Sequence, residues 1–173
     1  MDKGFVQIYT GDGKGKTTAA LGLALRAAGH GYRSFIGQFM KGQYYGEISS
    51  LKNVPEVDIE QFDDEVCCIH RDEVTDTHRE HGQNGIDRIY EVMGSGKYQI
   101  IIMDEICVSI WFGIVAVENV LALIRNRPSG VELVLTGRRA PEELIEAADL
   151  VTEMKEIKHY YTKGILARTG IEK

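Results

Sequence analysis

Thr10-Gly11-Asp12-Gly13-Lys14-Gly15-Lys16-Thr17-Thr18 falls between a strand-like run and an Ala/Leu-rich run that reads as a helix. Glycines at this density let successive backbone N–H groups turn inward around an anion, and the N-terminus of the following helix adds partial positive charge. The chemistry such a loop performs is phosphate binding. Gly11, Gly13 and Gly15 form the expected cradle, Lys16 reaches the phosphates, and the Thr17 hydroxyl ligates Mg²⁺. The strand–loop–helix setting separates this reading from a glycine-rich connection with incidental lysines. One detail departs from the usual G-x-x-x-x-G-K-[ST] spacing: Thr10 stands where the first glycine is expected, and the glycine follows one residue later. The loop is therefore read as a tighter variant holding its nucleotide in an unusual pose. Asp12 is unfavourable beside a polyphosphate; either Lys14 offsets it or its carboxylate turns away, towards ribose or base.

A second constellation is Ile100-Ile101-Ile102-Met103-Asp104-Glu105, an apolar run that ends in two acids. An Asp in this position holds Mg²⁺ directly or through water. Glu105 has two readings: it orients an attacking water, as in hydrolytic NTPases, or it binds metal or substrate. A structural alternative has both acids capping the next helix. Two other strand ends carry cations, in Gln38-Phe39-Met40-Lys41-Gly42 and Thr136-Gly137-Arg138-Arg139. Arg138 is placed to meet phosphate or ribose, unless it remains a solvated surface side chain. Arg26, on the first helix, either turns back to the nucleotide or stays on the surface.

The elements that must position these groups alternate along the chain. Strand-like runs at Phe5 to Tyr9, Ser34 to Phe39, Val57 to Gln61, Gln99 to Met103, Glu132 to Leu135 and Leu150 to Glu153 are separated by helical stretches at Lys16 to Ala28, Arg71 to Met93, Glu118 to Arg125 and just after Pro141. Gln99 to Met103 is apolar after its first residue, as a strand buried on both faces of a parallel sheet should be. Alternation of this kind predicts an α/β fold with a mostly parallel sheet and helices on both faces. Ligands in such folds sit beyond the carboxyl ends of the strands, which is where all four motifs fall.

The chain's 173 residues match one domain, 1–173, on length alone. Its charged groups, 20 Lys plus Arg against 26 Asp plus Glu, sum to −6 and argue against a broad nucleic-acid partner, which needs a net basic face. No apolar run approaches 18 residues, so no membrane span is expected, and the start at Met1-Asp2-Lys3-Gly4 lacks a signal peptide's apolar stretch. Three cysteines, two adjacent, make no disulfide framework and suit a reducing, cytoplasmic setting.

Taken together, the motifs resemble those of the ATP:corrinoid adenosyltransferases of the single-domain phosphate-loop type. The resemblance is carried by the loop extended through Ala19-Ala20, by Gln38-Phe39-Met40-Lys41-Gly42, by Met103-Asp104-Glu105 and by Leu135-Thr136-Gly137-Arg138. It continues through Ala148-Asp149-Leu150-Val151-Thr152-Glu153, Lys158-His159 and Gly170-Ile171-Glu172, so it spans the chain. It implies a three-layer phosphate-loop NTPase fold of RecA-like type. The implied reaction is attack by a Co(I) corrinoid on C5′ of ATP, with release of triphosphate. ATP would lie reversed in the loop, with Lys16, Thr17 and Thr18 binding phosphates and metal and with Asp104 and Glu105 holding Mg²⁺. Asp12, Arg26 and Arg138 would contact the nucleoside or phosphates, and Phe39, Lys41, Phe62 and Cys68 would border the corrinoid. An electron donor such as a flavoprotein reductase and a homodimeric state are further implications.

The sequence departs from that pattern in two places. Known members carry an N-terminal extension over the active site, whereas here the first strand begins almost at once. They also bear a Phe/Trp loop after the third strand that displaces the corrinoid's lower ligand. The corresponding Phe62-Asp63-Asp64-Glu65-Val66-Cys67-Cys68-Ile69-His70 has no tryptophan. Cys67, Cys68, His70, His78 and His81 match no zinc spacing and are read as exposed or corrinoid-lining side chains. Trp111 and Phe112 are read as core, and Lys158 to Thr162 as a loop over the site. An ATPase switch and a small-molecule kinase are the competing functions. Glu105 favours the first of these, and the lack of clustered arginines in a lid counts against the second.

Overall fold

Along the chain the elements run β1 (Val6–Thr10), α1 (Lys16–Ala28), β2 (Ser34–Gln38), α2 (Gly46–Leu51), β3 (Val57–Gln61), α3 (Asp76–Gly94), β4 (Ile100–Asp104), α4 (Ile106–Trp111), α5 (Val117–Asn126), β5 (Glu132–Thr136), α6 (Glu142–Ala147) and β6 (Leu150–Glu153). Single 3₁₀ turns occupy Arg71–Glu73 and Tyr160–Lys163. These come from a computed structural model that describes residues 1–63 and 70–173. The strands form one sheet in the order β3-β2-β4-β5-β1-β6. Every neighbouring pair is parallel.

The apolar run of β4 explains the layering. All five of its residues are buried. Ile100 and Ile102 point to one face, against Ala20, Ala24 and Ala27 of α1. Ile101 and Met103 point to the other, against Ile86 and Ile89 of α3 and Leu123 of α5. The period-two alternation of a strand thus feeds two apolar layers, and helices must cover both. Alanine on α1 sets how closely that helix approaches; a larger side chain at fully buried Ala24 would overpack the layer by about 1–3 kcal/mol.

Two sequence expectations change here. The helical stretch from Arg71 to Met93 is broken at Val74, which is extended (ψ 122°), and α3 starts only after Thr75, whose hydroxyl accepts from His78 N–H. Two short helices, α2 and α4, also stand where no helix was expected. Among the described residues no helix is long and apolar enough to cross a membrane.

The layout brings the motifs together. β5 lies between β1 and β4, so the glycine loop and the two acids sit two strands apart at the same sheet edge. The β2/β4 register puts Gln38 opposite Asp104. Loops after β1, β2, β4 and β5 therefore share one rim.

Candidate active site

The glycine loop leaves β1 at Gly11, which has φ +94°. The end of β6 runs beside it, and a Cβ on either Gly11 or Gly13 would come within 2.6 Å of the Met154 carbonyl oxygen. Gly13 N–H donates to that oxygen at 2.6 Å, and Met154 N–H donates to the Thr10 carbonyl at 2.8 Å. One loop amide is thus committed to the neighbouring strand, which is the physical content of the loop's tightness. Thr10, in place of the usual glycine, accepts a bond from Ala140 N–H at 3.2 Å through Oγ1. It ties the loop after β5 to the glycine loop.

Lys16 is 7% exposed, and its ammonium donates to the Gly11 and Gly13 carbonyls, each at 2.7 Å. Burial draws its pKa down, while the negative charge of Glu105 pulls the other way. Asp104, 1% exposed, gathers four donors. Thr17 Oγ1 at 2.9 Å and Thr136 Oγ1 at 2.6 Å reach Oδ1, while Lys41 Nζ at 2.7 Å and Gln38 Nε2 at 3.2 Å reach Oδ2. For Lys41, burial alone would lower the pKa, but the Asp104 pair outweighs it and leaves the pKa raised. Glu105 takes a left-handed backbone, φ +62°, just past β4, and burial together with the charge of Asp104 raises its pKa.

Lys16, Thr17, Lys41 and Glu105 border a cavity of about 610 Å³. Its lining includes Gly13 through Thr18, Lys41, Glu47, Glu105 and Arg138, with His159 and Gly170 to Lys173 closing one side. Lysines and an arginine supply charge for a polyphosphate, and the helix start at Lys16 supplies oriented N–H groups. The Thr17 hydroxyl, Asp104 and Glu105 form a set of hard oxygen donors suited to Mg²⁺. Among the described residues no group of three or more His, Cys, Asp or Glu could hold a metal alone. That sparse set fits an ion whose coordination is completed by substrate phosphates and water.

Not every expected residue lies here. Asp12 is exposed and outside the cavity lining, although its negative charge still acts on Lys16. Arg26 is exposed on α1 and also outside the lining. Lys41, expected beside the corrinoid, instead pairs with Asp104 at the phosphate end. Phe39, also expected there, is 1% exposed and packs edge-on against Phe62, with ring centroids 5.1 Å apart, so it presents no surface to a ligand. Phe62 fits over Gly37 and Gly85, where any Cβ would strike its ring at 2.5 and 2.7 Å. One edge of Phe62 borders a smaller cavity of about 330 Å³ with Asp63, His81, Asn84 and Arg88. Cys68 and its neighbour Cys67 lie outside the described residues. Trp111, expected in the core, is partly exposed, whereas Phe112 packs against the core.

Sequence reasoning placed the loop Lys158 to Thr162 over the site but missed the pairing that brings the last residues to the glycine loop. Lys14 donates to Glu172 Oε1 at 2.8 Å and to the Ile171 carbonyl at 3.0 Å. Glu172 is held in turn by Arg168 and Tyr160, and these donors keep its carboxyl well below the usual range. The signal was present in Gly170-Ile171-Glu172, which carries the resemblance without stating a role.

The fold and the loop geometry define a phosphate-loop nucleotide-binding protein. A KaiC-like protein from Pyrococcus horikoshii OT3 superposes with a TM-score of 0.56 at 16% identity, over 90% of this chain and 75% of that one, which shows the shared fold. The sequence profile of the ATP:corrinoid adenosyltransferase BtuR/CobO/CobP family matches residues 2–172, and the chain belongs to that family. It is similar to the corrinoid adenosyltransferase of Pseudomonas aeruginosa (31% identity over 173 residues, 99% of this chain and 84% of the relative). It is also similar to that of Escherichia coli K12, at 28% identity over 99% of this chain and 86% of the relative. ATP and a corrinoid are the substrates, and adenosylation is the reaction.

Proposed function

We propose that residues 1–173 act as one adenosyl-transfer unit in which the 610 Å³ cavity holds the triphosphate of ATP. The supporting observation is the convergence of Lys16, Thr17, Lys41, Glu105 and Arg138 on one cavity above buried Asp104. A Co(I) corrinoid supplies the electron pair that forms the Co–C5′ bond. The C5′–O bond breaks, triphosphate leaves with the electron pair of that bond, and cobalt becomes Co(III). The corrinoid carries the difficult chemistry, so the chain needs no nucleophile of its own. Its task is to stabilise the charge that develops on the leaving triphosphate.

Each residue has a role in that task. Lys16 leaves its two loop carbonyls for phosphate oxygens, a move that exchanges neutral acceptors for charged ones. Lys41 and Arg138 add charge from the β2 and β5 ends. Thr17, Asp104 and Glu105 would hold Mg²⁺, which supplies Lewis-acid neutralisation of the phosphates. Gly11, Gly13 and Gly15 leave room for the phosphates, and Lys14 and Thr18 line the entrance. Phe62 borders the corrinoid, while Asp12 and Arg26 serve the nucleoside only from outside the cavity.

The need for Co(I) calls for an electron donor such as a flavoprotein reductase, in a reducing, cytoplasmic setting. Buried, unpaired Cys107 is compatible with that setting. A homodimer accounts for exposed apolar tail side chains such as Ile157 (83%) and Leu166 (71%). Lys16→Ala tests the site. ATP binding by titration calorimetry and adenosyl transfer should both fall at least a hundredfold, and near-normal values would place the reaction elsewhere.

A further inference from the structure

Trp111 is the chain's single tryptophan and has no part in the machinery above. It ends α4, and two guanidiniums lie over its ring, Arg139 Cζ at 4.3 Å from the centroid and Arg71 Cζ at 5.5 Å. Arg139 has φ +58°, in the left-handed region that L side chains avoid. The other described non-glycine residues with such a backbone, Met40 and Glu105, likewise follow strand ends at this rim. Strain of this kind persists only where surrounding contacts hold it.

The loop that carries Arg139 is tied at both ends. Gly137 N–H donates to the Tyr9 carbonyl at 3.2 Å, and Ala140 N–H donates to Thr10 Oγ1 at 3.2 Å. Gly137 also crosses α4 closely, since a Cβ there would meet Cys107 Cβ at 2.9 Å. Between the ties the two arginines diverge. Arg138 borders the nucleotide cavity, and Arg139 turns back along α4 onto Trp111. Among the described residues Arg139 forms no ion pair, so the stack on the indole is the side-chain contact that offsets its backbone strain.

We propose that Trp111 is a positioning residue for ATP: by clasping Arg139 in its left-handed conformation, it fixes the adjacent Arg138 guanidinium in the cavity. This rests on the reading of that cavity as the triphosphate site. The clasp and the strain form a matched pair, and either one without the other gives a different result. With Arg139 present and the indole removed, the strain relaxes by moving the loop and displacing Arg138. With glycine at 139 the left-handed backbone is unstrained and needs no clasp.

The test is a double-mutant cycle on ATP kinetics. Trp111→Ala should raise KM for ATP roughly five- to thirtyfold, the range that one strained residue converts to, with kcat within twofold. Trp111→Phe, which keeps an aromatic face, should stay within threefold of the parent. Arg139→Gly should also stay within threefold, and Trp111→Ala added to it should change KM by less than twofold. An equal effect of Trp111→Ala in both backgrounds, or no effect in either, overturns the proposal. A second readout covers failure of Trp111→Ala to fold: the lone indole reports on Arg139 by fluorescence. Without ligand, Arg139→Gly removes the guanidinium that lies 4.3 Å from the ring centroid and should change the emission relative to the parent. Identical emission of the two proteins overturns the clasp. Lys16→Ala separates the two levels: if it abolishes ATP binding while the cycle is additive, only the positioning role of Trp111 falls. If Lys16→Ala binds ATP normally, the cavity assignment falls first.

Discussion

Replacing Lys41 by methionine keeps the side-chain length and removes its charge, leaving the Asp104 carboxylate, 1% exposed, without the ammonium 2.7 Å away. Removing one partner of a buried ion pair costs about 3–5 kcal/mol, because the other charge stays in the interior uncompensated. Asp104 retains bonds from Thr17, Thr136 and Gln38, which puts the cost at the low end, about 3 kcal/mol. At roughly 2–4 °C per kcal/mol for a chain of this size, Tm should fall by about 6–12 °C. The folded-state pKa of Lys41 is raised, so its contribution is fully present below the ordinary lysine value and is lost only as pH rises through the higher folded value. The deficit should therefore be the same at pH 6 and pH 8. Mg²⁺ and ATP bring a compensating cation beside Asp104 and should narrow the gap by half or more. Differential scanning calorimetry with and without Mg·ATP reads all of this. A ligand-free Tm within 2 °C of the parent would refute the reasoning, since it would mean that water or a shifted side chain already screens Asp104.

Other consequences follow from single features of the site. Glu105 has a raised pKa, so its ionised form is a stability liability above that pKa, and the liability is relieved as pH falls through it. Glu105→Gln should raise Tm at pH 8, with the gain shrinking towards pH 4.5, while adenosyl transfer is lost; melts across that range check the sign. Cys107 is fully buried, and burial pushes its thiol up to about 12. Peptide mapping after iodoacetamide at pH 8 should find it unmodified in the native protein and fully modified in denaturant. Gly11→Ala puts a Cβ 2.6 Å from the Met154 carbonyl at φ +94°, and should cost roughly 1–3 kcal/mol in urea unfolding while weakening ATP binding.

The parts of this molecule legible in the sequence are those set by local pattern. Lys16–Ala28 is a helix with the bounds that its glycine loop and flanking Gly29 suggest, and Ile100 to Asp104 reads as a two-sided buried strand because it is one. Helices α2 and α4, six residues each, are too short for a 3.6-residue period to show. The burial of Phe39 follows from its register: Phe35, Gly37 and Phe39 share one side of the chain, and that side packs on α3. Pairings across the fold were not readable. Lys41 meets Asp104 because β2 adjoins β4, and Glu172 meets Lys14 across almost the whole chain. Residue types indicated chemistry at each strand end, but strand order decided which of them share a cavity.

The most direct measurement incubates the protein with ATP, Mg²⁺ and a chemically reduced corrinoid and follows both products. Free triphosphate should appear in step with a light-sensitive cobalt–carbon compound, and neither should form without the corrinoid. ADP or inorganic phosphate released in the corrinoid's absence, with no cobalt–carbon product in its presence, would contradict the account.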